Sequence, residues 1–374
     1  MKKVLFILHL PPPVHGAAVV GQYIKNSLLV TNSFYARFIN LGTSNSIEDI
    51  GWNSFRKSLR YISLILRVLK QLSSFRPQLC YITPTAKGAG FYKDVPLMAL
   101  AKLIGIKVIL HYHNKGVSTR QHFFFDDFLY RFLFRNSFVI LLSKHLYPDI
   151  QKYVPADRVF YCPNGIPDGS LYSESKQVYQ ENDAKNKPTE ILFLSHLIRS
   201  KGVLLLIDAC KLLNDRAINF HCTIVGGDAE LTKGEVESKI RNLGLENKID
   251  VLGSKHGAEK DEILKSTDIF VHPSYNDCFP LTLLEAMQYC LPIVSTFEGG
   301  IPDIVNDGIT GFLVPKKDSN ALADKLEILI SDLGLRKKMG DAGRAKYERE
   351  FALEKFESRI VEILNEVAIL ERPK

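Results

Sequence analysis

Two acidic residues flank a helix start in the second half of the chain, and their spacing suits an anionic ligand that carries hydroxyl groups. Asp277 lies in a polar loop, and Glu285 lies eight residues further on, in the helix that Pro280 opens. Proline suits a first helical turn because its missing N–H would have no partner there. The free N–H groups of such a helix start can bind an anion, and the carboxylates can accept hydrogen bonds from hydroxyl groups.

A basic turn offers a cation for the same kind of ligand. The segment LSHLIRSKG, residues 194–202, ends a buried strand and places Lys201 and Gly202 at the start of the next helix. A cation beside free N–H groups suits a diphosphate, and His196 or Arg199 could add a second donor. A solvated basic turn is the alternative interpretation.

Small residues open the first helix of the chain. Gly16, Ala17 and Ala18 follow the first strand in PPPVHGAAVVGQY, so that backbone N–H groups could approach a phosphate or a sugar closely. The segment is not G-x-G-x-x-G, and no acidic residue ends the second strand, which argues against a dinucleotide-binding oxidoreductase. A plain strand-to-helix turn is the alternative here.

Histidines end another buried strand, in VILHYHNKG. We predict that His111 and His113 point to opposite faces of the sheet, so that at most one of them lines a site. The sequence contains no Asp-x-Asp pair and no His/Cys cluster at metal-ligand spacing. We therefore predict that the protein uses neither a metal nor a cofactor.

These residues must be positioned by two domains, because 374 residues exceed one ordinary core. Buried strands alternate with helical patterns in both halves, and strands that are apolar on both faces indicate parallel sheets. We predict α/β architecture with two facing Rossmann-like, doubly wound domains and a ligand cleft between them. The predicted boundaries are 1–170, 186–350 and a C-terminal helix, 351–374, that crosses back to the first domain. The polar segment 165–188 is the predicted linker.

Charge is distributed unevenly along the chain. Residues 1–180 hold 22 Lys and Arg against 9 Asp and Glu, whereas the whole chain has a net charge of only +7. Arg56, Arg60, Arg67 and Lys70 share one arc of a predicted helix, opposite a set of leucines and isoleucines. Such a helix could lie on an anionic membrane or form the solvated face of a globular domain.

No apolar run reaches membrane-spanning length, and the six cysteines include no C-x-x-C pair. Buried, reduced thiols are the simplest interpretation. We expect a cytoplasmic protein, with peripheral contact at the inner face of a membrane as an option, and no nucleic-acid partner.

The order and spacing of four segments resemble the retaining glycosyltransferases of family 4, which have the GT-B fold. The segments are CPNGIP (162–167), SHLIRSKG (195–202), NDCFPLTLLEAM (276–287) and EGGIPDIVNDGITGFLV (298–314). The resemblance implies transfer of a sugar from a UDP- or GDP-linked donor to a glycan or lipid-linked acceptor, with retention of the anomeric configuration. Surface polysaccharide biosynthesis is the implied setting.

The resemblance also implies a role for each matching residue of the second domain. Glu285 would bind the ribose hydroxyls, and Asp277 would lie near the donor sugar, although its side chain is one methylene shorter than the usual glutamate. Lys201 would bind the diphosphate, and His196 stands where the family usually has an arginine. The segment Phe279, Pro280 and Leu281 would line the sugar and the start of the phosphate-binding helix.

In the first domain, Gly16 matches the family's glycine-rich loop, and His113 resembles its active-site histidine, which contacts the donor sugar. Two mechanisms remain open: attack from the face that the phosphate leaves, and double displacement with Asp277 as nucleophile. A nucleotide-sugar epimerase, a phosphorylase of similar fold and a non-catalytic nucleotide-sugar-binding protein are the alternative functions.

Overall fold

The computed structural model describes residues 1–42, 55–169 and 187–371, and it divides into two compact units. The first unit comprises Met1–Gly165 and Leu353–Lys374, and the second comprises Ile166–Ala352. Within the described residues, each unit is built on one six-stranded parallel sheet with helices between the strands. The predicted α/β architecture with two Rossmann-like units is confirmed.

The first sheet has the strand order β2-β1-β3-β4-β5-β6. Its strands are β1 (Lys2–Leu8), β2 (Phe34–Asn40), β3 (Leu79–Ile82), β4 (Lys107–Tyr112), β5 (Ser137–Leu141) and β6 (Val159–Tyr161). The helices between them are α1 (Gly16–Asn26), α2 (Leu28–Ser33), α3 (Phe55–Ser74), α4 (Gly88–Leu103) and α5 (Phe124–Phe134). From β1 the chain adds β2 on one side, and from β3 onwards it adds strands on the other side. Ligands of open α/β sheets bind at such a reversal of strand order, which here lies between β1 and β3.

Helices α3, α4 and α5 form one layer on the first sheet. They belong to the connections β2 to β3, β3 to β4 and β4 to β5, which all run in one direction, and right-handed crossovers place such helices on one face. The hydroxyl of Tyr61 on α3 donates to the carbonyl of Lys93 on α4 at 2.7 Å. The rings of Phe91 on α4 and Tyr130 on α5 lie 4.7 Å apart.

The second sheet has the order β12-β11-β10-β7-β8-β9, the arrangement of dinucleotide-binding sheets. Its strands are β7 (Thr189–Leu194), β8 (Phe220–Val225), β9 (Ile249–Gly253), β10 (Ile269–His272), β11 (Ile293–Thr296) and β12 (Gly311–Val314). The helices are α6 (Val203–Asp215), α7 (Lys233–Asn242), α8 (Gly257–Ser266), α9 (Leu281–Gln288), α10 (Ile301–Ile304), α11 (Ser319–Ser331) and α12 (Leu333–Lys346). Here β7 and β10 are neighbours at the reversal point, so the residues that follow them define the expected ligand position.

The chain enters and leaves the second unit side by side. Ile166 forms a parallel bridge with Ala352, and the amide of Ile166 donates to the carbonyl of Phe351 at 3.0 Å. The last helix, α13 (Leu353–Ile369), packs against α2 of the first unit. The Lys107 ammonium donates to the carbonyls of Val367 and Ala368, at 3.2 and 2.9 Å, and so satisfies carbonyls that have no partner within the helix.

The alternation of strands and helices that the sequence predicts for both halves is present. The predicted linker lies for the most part in residues 170–186, outside the described residues. All six cysteines are free thiols, and five of them are buried, as predicted. In the described parts of the chain, no helix is both long enough and apolar enough to cross a membrane.

Candidate functional site

The loops that follow β7 and β10 are bound to each other at the reversal point of the second sheet. The carbonyl of Ser200 accepts hydrogen bonds from the amide of Tyr275 at 2.9 Å and from the hydroxyl of Ser274 at 3.1 Å. Both serines therefore hold the basic turn against the loop that carries Asp277. This contact brings together two segments that lie more than 70 residues apart in the sequence.

Gly202 permits this close approach. Its φ is +88°, and a Cβ at this position would lie 2.2 Å from the carbonyl oxygen of Pro273. A side chain would therefore both strain the backbone and push the two loops apart.

We expect Gly202→Ala to lower the free energy of unfolding by about 2 kcal/mol or more. Gly244→Ala is the matched control, because Gly244 also has a positive φ, +68°, but faces open space. Urea unfolding of the two variants would separate backbone strain from the clash. Equal losses of stability in both variants would contradict the role that we assign to Gly202.

Lys201, Asp277 and His272 form a compact cluster where these loops meet. The Lys201 ammonium lies 2.5 Å from Oδ2 of Asp277, and Nε2 of His272 lies 3.1 Å from the same oxygen. The other carboxylate oxygen, Oδ1, accepts the amide N–H of Cys278 at 2.9 Å. The structure thus brings together Lys201 and Asp277, two of the predicted site residues, and adds His272, which was not predicted.

Asp277 stays ionised in this setting. Burial opposes its charge, but the hydrogen bond with His272 and the positive charge of Lys201 outweigh burial, and together they hold the pKa of Asp277 well below its usual value. The cluster therefore combines a carboxylate that is 12% exposed with a cation that remains about a quarter exposed and can reach a ligand.

A second carboxylate, that of Glu298, is hydrogen-bonded to the backbone of the Asp277 loop. Glu298 is buried; its Oε1 accepts the amide N–H of Asp277 at 3.3 Å, and its Oε2 lies 2.8 Å from the ammonium of Lys316. Gly299 has a φ of +53°, and a Cβ there would lie 2.2 Å from the carbonyl oxygen of Asp277. Gly299, the first of the two glycines that follow β11, is therefore required for close packing of the two loops.

Helix α9 begins directly after this cluster. Pro280 is its N-cap rather than its first helical residue, and Leu281 is the first residue of the helix, half-buried. Phe279 is buried, and its ring packs edge-on against Phe351 at 5.8 Å, so a ligand would meet its backbone more readily than its ring. The Thr282 hydroxyl is buried, and within the described residues it has no hydrogen-bond partner. The first turn therefore presents unused N–H groups and one unused hydroxyl.

Glu285 lies further along α9 and is held by a different cation. Its Oε1 lies 3.0 Å from the ammonium of Lys260 on α8, and about a quarter of each side chain is exposed. Lys260 was not predicted, because α8 follows another strand and its lysines are indistinguishable from solvated surface charges in the sequence.

His196 is exposed, and its neighbours are fixed by two glycines after β8. A Cβ on Gly226 would lie 1.8 Å from the carbonyl oxygen of Ser195, and the carbonyl of Gly227 accepts the amide N–H of Leu197 at 2.9 Å. His196 thus lies beside the basic turn, and its role as an additional donor stays a prediction. The glycine pair in VGGD was a usable signal that sequence reasoning did not use.

In the first unit, α1 begins at Gly16, which is exposed and faces open space, and Ala17 is half-buried beside it. The side chain of His15 caps this helix by accepting the amide N–H of Ala18. Unlike Gly16, Gly21 is required for packing of α1 against the end of β1, because a Cβ there would lie 2.0 Å from the carbonyl oxygen of His9. The start of α1 is therefore open, while its second turn is pressed against the end of β1.

The prediction that His111 and His113 point to opposite faces is wrong. Their ring centroids lie 4.2 Å apart, because residues two positions apart on a strand share a face. Nδ1 of His111 is hydrogen-bonded to the hydroxyl of Tyr81. Both ring nitrogens of His113 are buried and have no hydrogen-bond partner within the described residues. Nε2 of His111 also lacks a partner there, but His111 is completely buried, whereas His113 is only half-buried. His113 is therefore the more accessible member of the pair.

His9 and His113 are both held neutral. Burial lowers the pKa of His9 to about 3, with Lys93, His15 and His113 adding repulsion, and burial lowers the pKa of His113 to about 3, with His15 adding to it. In both cases the folded-state pKa lies below the ordinary value of 6.5. The unfolded chain then binds protons that the folded chain does not, so stability is lost as the pH falls below 6.5.

We expect His9→Gln to reduce the acid sensitivity of the protein. Each such histidine costs up to about 1.4 kcal/mol of folding free energy per pH unit below 6.5. Urea unfolding at several pH values between 5 and 7 would measure the slope, with His122→Gln, at an exposed position, as the control. An unchanged slope in His9→Gln would show that this histidine is not buried in the neutral form.

Across residues 1–42, 55–169 and 187–371, no three His, Cys, Asp or Glu side chains lie close enough together to hold a metal ion.

Comparisons with known proteins match this part of the chain to glycosyltransferases. Residues 175–346, which include Lys201, Asp277 and Glu285, match the family described as glycosyl transferases group 1. The amylovoran biosynthesis glycosyltransferase AmsK of Erwinia amylovora is 28% identical over 71% of this chain and 66% of its own length. The putative colanic acid biosynthesis glycosyltransferase WcaL of Salmonella typhimurium is 28% identical over 59% of this chain. The alignments thus span between about half and two thirds of these relatives, 54% in the case of WcaL.

Solved structures show the same fold over nearly the whole chain. A glycosyltransferase from Rickettsia africae superposes with a TM-score of 0.73 at 20% identity, covering 99% of each chain. HepE of Anabaena, solved with UDP-glucose, superposes with a TM-score of 0.73 at 19% identity, covering 98% of this chain and 100% of HepE. The chain has the two-unit, Rossmann-like fold of GT-B glycosyltransferases.

Proposed function

We propose that the protein transfers a sugar from a nucleoside diphosphate sugar to a glycan or lipid-linked acceptor, in the biosynthesis of a surface polysaccharide and with retention of the anomeric configuration. The observation that carries this proposal is the Lys201–Asp277 pair beside the open start of α9, at the reversal point of the second sheet. A diphosphate is the ligand that best fits a cation and a helix N-terminus together.

The relatives support the choice of donor and of pathway class. AmsK, WcaL and the capsular polysaccharide biosynthesis glycosyltransferase CapM of Staphylococcus aureus are all named for glycosyl transfer in polysaccharide biosynthesis. HepE was solved with UDP, with UDP and glucose, and with UDP-glucose. A uridine diphosphate donor is therefore the first to test, with a guanosine diphosphate donor as the second.

The proposed chemistry depends on stabilising the leaving group. When the bond between the sugar carbon and the phosphate oxygen breaks, negative charge develops on the departing diphosphate, where Lys201 and the N–H groups of α9 can stabilise it. The acceptor hydroxyl attacks the same face of the sugar and transfers its proton to the departing phosphate oxygen. This route retains the configuration without a covalent intermediate on the protein.

Three contacts of Asp277 favour this route over double displacement. Both oxygens of Asp277 are engaged, Oδ2 by Lys201 and His272 and Oδ1 by the amide of Cys278, and these contacts lower its nucleophilicity. We assign Asp277 to orienting Lys201 and accepting a hydrogen bond from the donor sugar. His113, with unused ring nitrogens, is assigned to a substrate hydroxyl.

Glu285 is assigned to the ribose hydroxyls of the donor. In the unliganded protein its carboxylate is paired with Lys260, and a ribose would share or replace this contact. Thermal shift with a panel of nucleotides and nucleotide sugars tests donor binding, because a ligand at a hundred times its dissociation constant adds about 2.7 kcal/mol of stability.

The matched variants are Glu285→Gln and Glu259→Gln. Glu259 is on α8, is exposed and pairs with Lys255, so its loss controls for the removal of one charge from this region. We expect only Glu285→Gln to weaken nucleotide binding. If no nucleotide or nucleotide sugar raises the melting temperature of the wild-type protein, the proposed function is wrong.

Incubation with the donor and a saccharide acceptor would then test the reaction itself. Transfer should require the acceptor, and NMR of the product should show the anomeric configuration of the donor. Full conversion of the nucleotide sugar without an acceptor would identify an epimerase instead.

A further inference from the structure

The layer formed by α3, α4 and α5 exposes large apolar side chains on its outer surface, which we call the α3–α5 face. On α3, Leu59, Ile62 and Leu66 are each more than half exposed. They recur at helical spacing, so they form one continuous stripe along the helix.

This stripe is not the core-facing side of α3. Leu64, Val68 and Leu72 occupy the buried side of the same helix and are almost completely inaccessible. Burial of α3 against the sheet is therefore already satisfied without the stripe, and a second apolar stripe on the outer side is left in contact with water. An exposed patch of this kind marks an interaction surface.

Aromatic side chains extend the patch at the start of α5. Phe124, Phe125 and Phe128 are 88%, 60% and 58% exposed. The Tyr92 ring on α4 lies 6.1 Å from that of Phe125, so that the aromatic groups of the two helices are contiguous. Phenylalanine side chains this exposed contribute nothing to the core of the unit.

The charge around the patch is positive. Helix α3 contains no acidic residue, and its Arg67 and Lys70 are exposed beside the apolar stripe. The carboxylates of α4 and α5 add little negative charge to the surface. Asp94 and Asp126 are buried, and Asp127 is paired with Arg131 at 2.7 Å and with Lys152 at 2.6 Å.

We propose that the α3–α5 face docks on an anionic lipid bilayer, with its phenylalanines inserted among the acyl chains near the headgroups and its basic residues against the anionic headgroups. Apolar side chains beside exposed Lys and Arg are the pattern of interfacial helices. An acidic protein partner would match the charge, but it would not account for exposed phenylalanines that project from a helix start.

The placement of the patch also has a functional consequence. Helices of a parallel α/β unit begin at the carboxyl edge of the sheet, and Phe124 and Phe125 are the first two residues of α5. The inserted residues therefore lie at the edge where ligands of such sheets bind. This docking would hold that edge of the first unit close to an acceptor carried on a membrane lipid. It extends the proposed function but does not depend on it.

The test is co-sedimentation of the full chain with vesicles of phosphatidylcholine alone and with vesicles that also contain phosphatidylglycerol. We expect binding to the anionic vesicles that weakens as salt is added. Phe124→Ser/Phe128→Ser should reduce the partition constant at least tenfold. The control is Ile309→Ser, which removes an exposed apolar side chain from the second unit.

Arg67→Glu/Lys70→Glu tests the charge, with Lys337→Glu/Lys338→Glu on α12 as the control. Each basic residue near an anionic surface raises the partition constant by a factor of about five. Reversal of two charges should therefore reduce the partition constant by well over tenfold. Nucleotide binding should be unchanged in all four variants, which separates this test from that of the proposed function.

Two results would overturn the proposal. One is that the wild-type chain stays in the supernatant with anionic vesicles, and the other is that the α3–α5 face variants sediment as the wild type does. Self-association of the wild-type chain that is abolished by Phe124→Ser/Phe128→Ser, without vesicle binding, would assign the face to a second copy of the chain instead.

Discussion

Lys201→Met is expected to reduce kcat for sugar transfer by about 10² to 10³. Lys201 is the cation of the cluster at the reversal point, and the proposed transition state carries its negative charge on the departing diphosphate. Methionine keeps the length and apolar stem of the side chain but cannot supply the charge. Initial rates at saturating donor, with a fixed acceptor, would measure the effect.

The control for this variant is Lys255→Met. Lys255 is also partly buried and paired with a carboxylate, Glu259, but it follows β9, an edge strand of the second sheet, whereas the Asp277 loop follows β10. Its loss should leave kcat within about twofold of wild type, because surface pairs contribute little. A Lys201→Met enzyme with near-normal kcat would remove Lys201 from the reaction.

The second large effect is expected for Asp277→Asn, which should lower kcat/KM by about 10² because Lys201 loses the carboxylate that orients it. The amide side chain is nearly the same size, so packing is preserved. If Asp277 acts through Lys201, the double variant Lys201→Met/Asp277→Asn should be little worse than Lys201→Met alone. Fully additive losses would show that the two residues act independently.

Asp277→Asn should also change the response to acid. The folded-state pKa of Asp277 lies below its ordinary value of 3.8, so its contribution to stability is present above that pH and is lost as the pH falls through the lowered value. The variant should therefore lose stability at neutral pH and show a flatter decline below pH 4. Asp215→Asn, at an exposed pair with Lys211, is the control and should change neither property.

Much of the fold could be predicted because its signals are local. Strands such as β4 and β5 are short apolar runs between helical patterns, and burial on both faces identifies them as members of parallel sheets. The site loops could be predicted as well, since ligands in such sheets bind beyond the strand ends. Lys201 and Asp277 were both found in this way.

The helix at 55–74 shows where periodicity was insufficient. Its basic arc and the apolar set opposite to it could be read from the sequence, but not which apolar residues pack against the sheet. In the structure Leu64, Val68 and Leu72 pack inwards, whereas Leu59, Ile62 and Leu66 face outwards. Which apolar stripe is covered depends on the sheet and on α4, and neither is encoded within the helix itself. Arg56 is also part of the predicted arc, but the structure does not describe its side chain.

For this protein, the sequence by itself determined the class of fold, the order of the strands along the chain and the residue types at the helix start after Asp277. Only the tertiary structure decided which partners those residues have. Lys260 opposite Glu285, Lys201 against Asp277 and Gly202 against Pro273 come from separate connections that meet at one edge of the sheet. Periodicity reports which face of an element is apolar, but contacts between distant loops depend on strand order and close backbone approach, which no local pattern records.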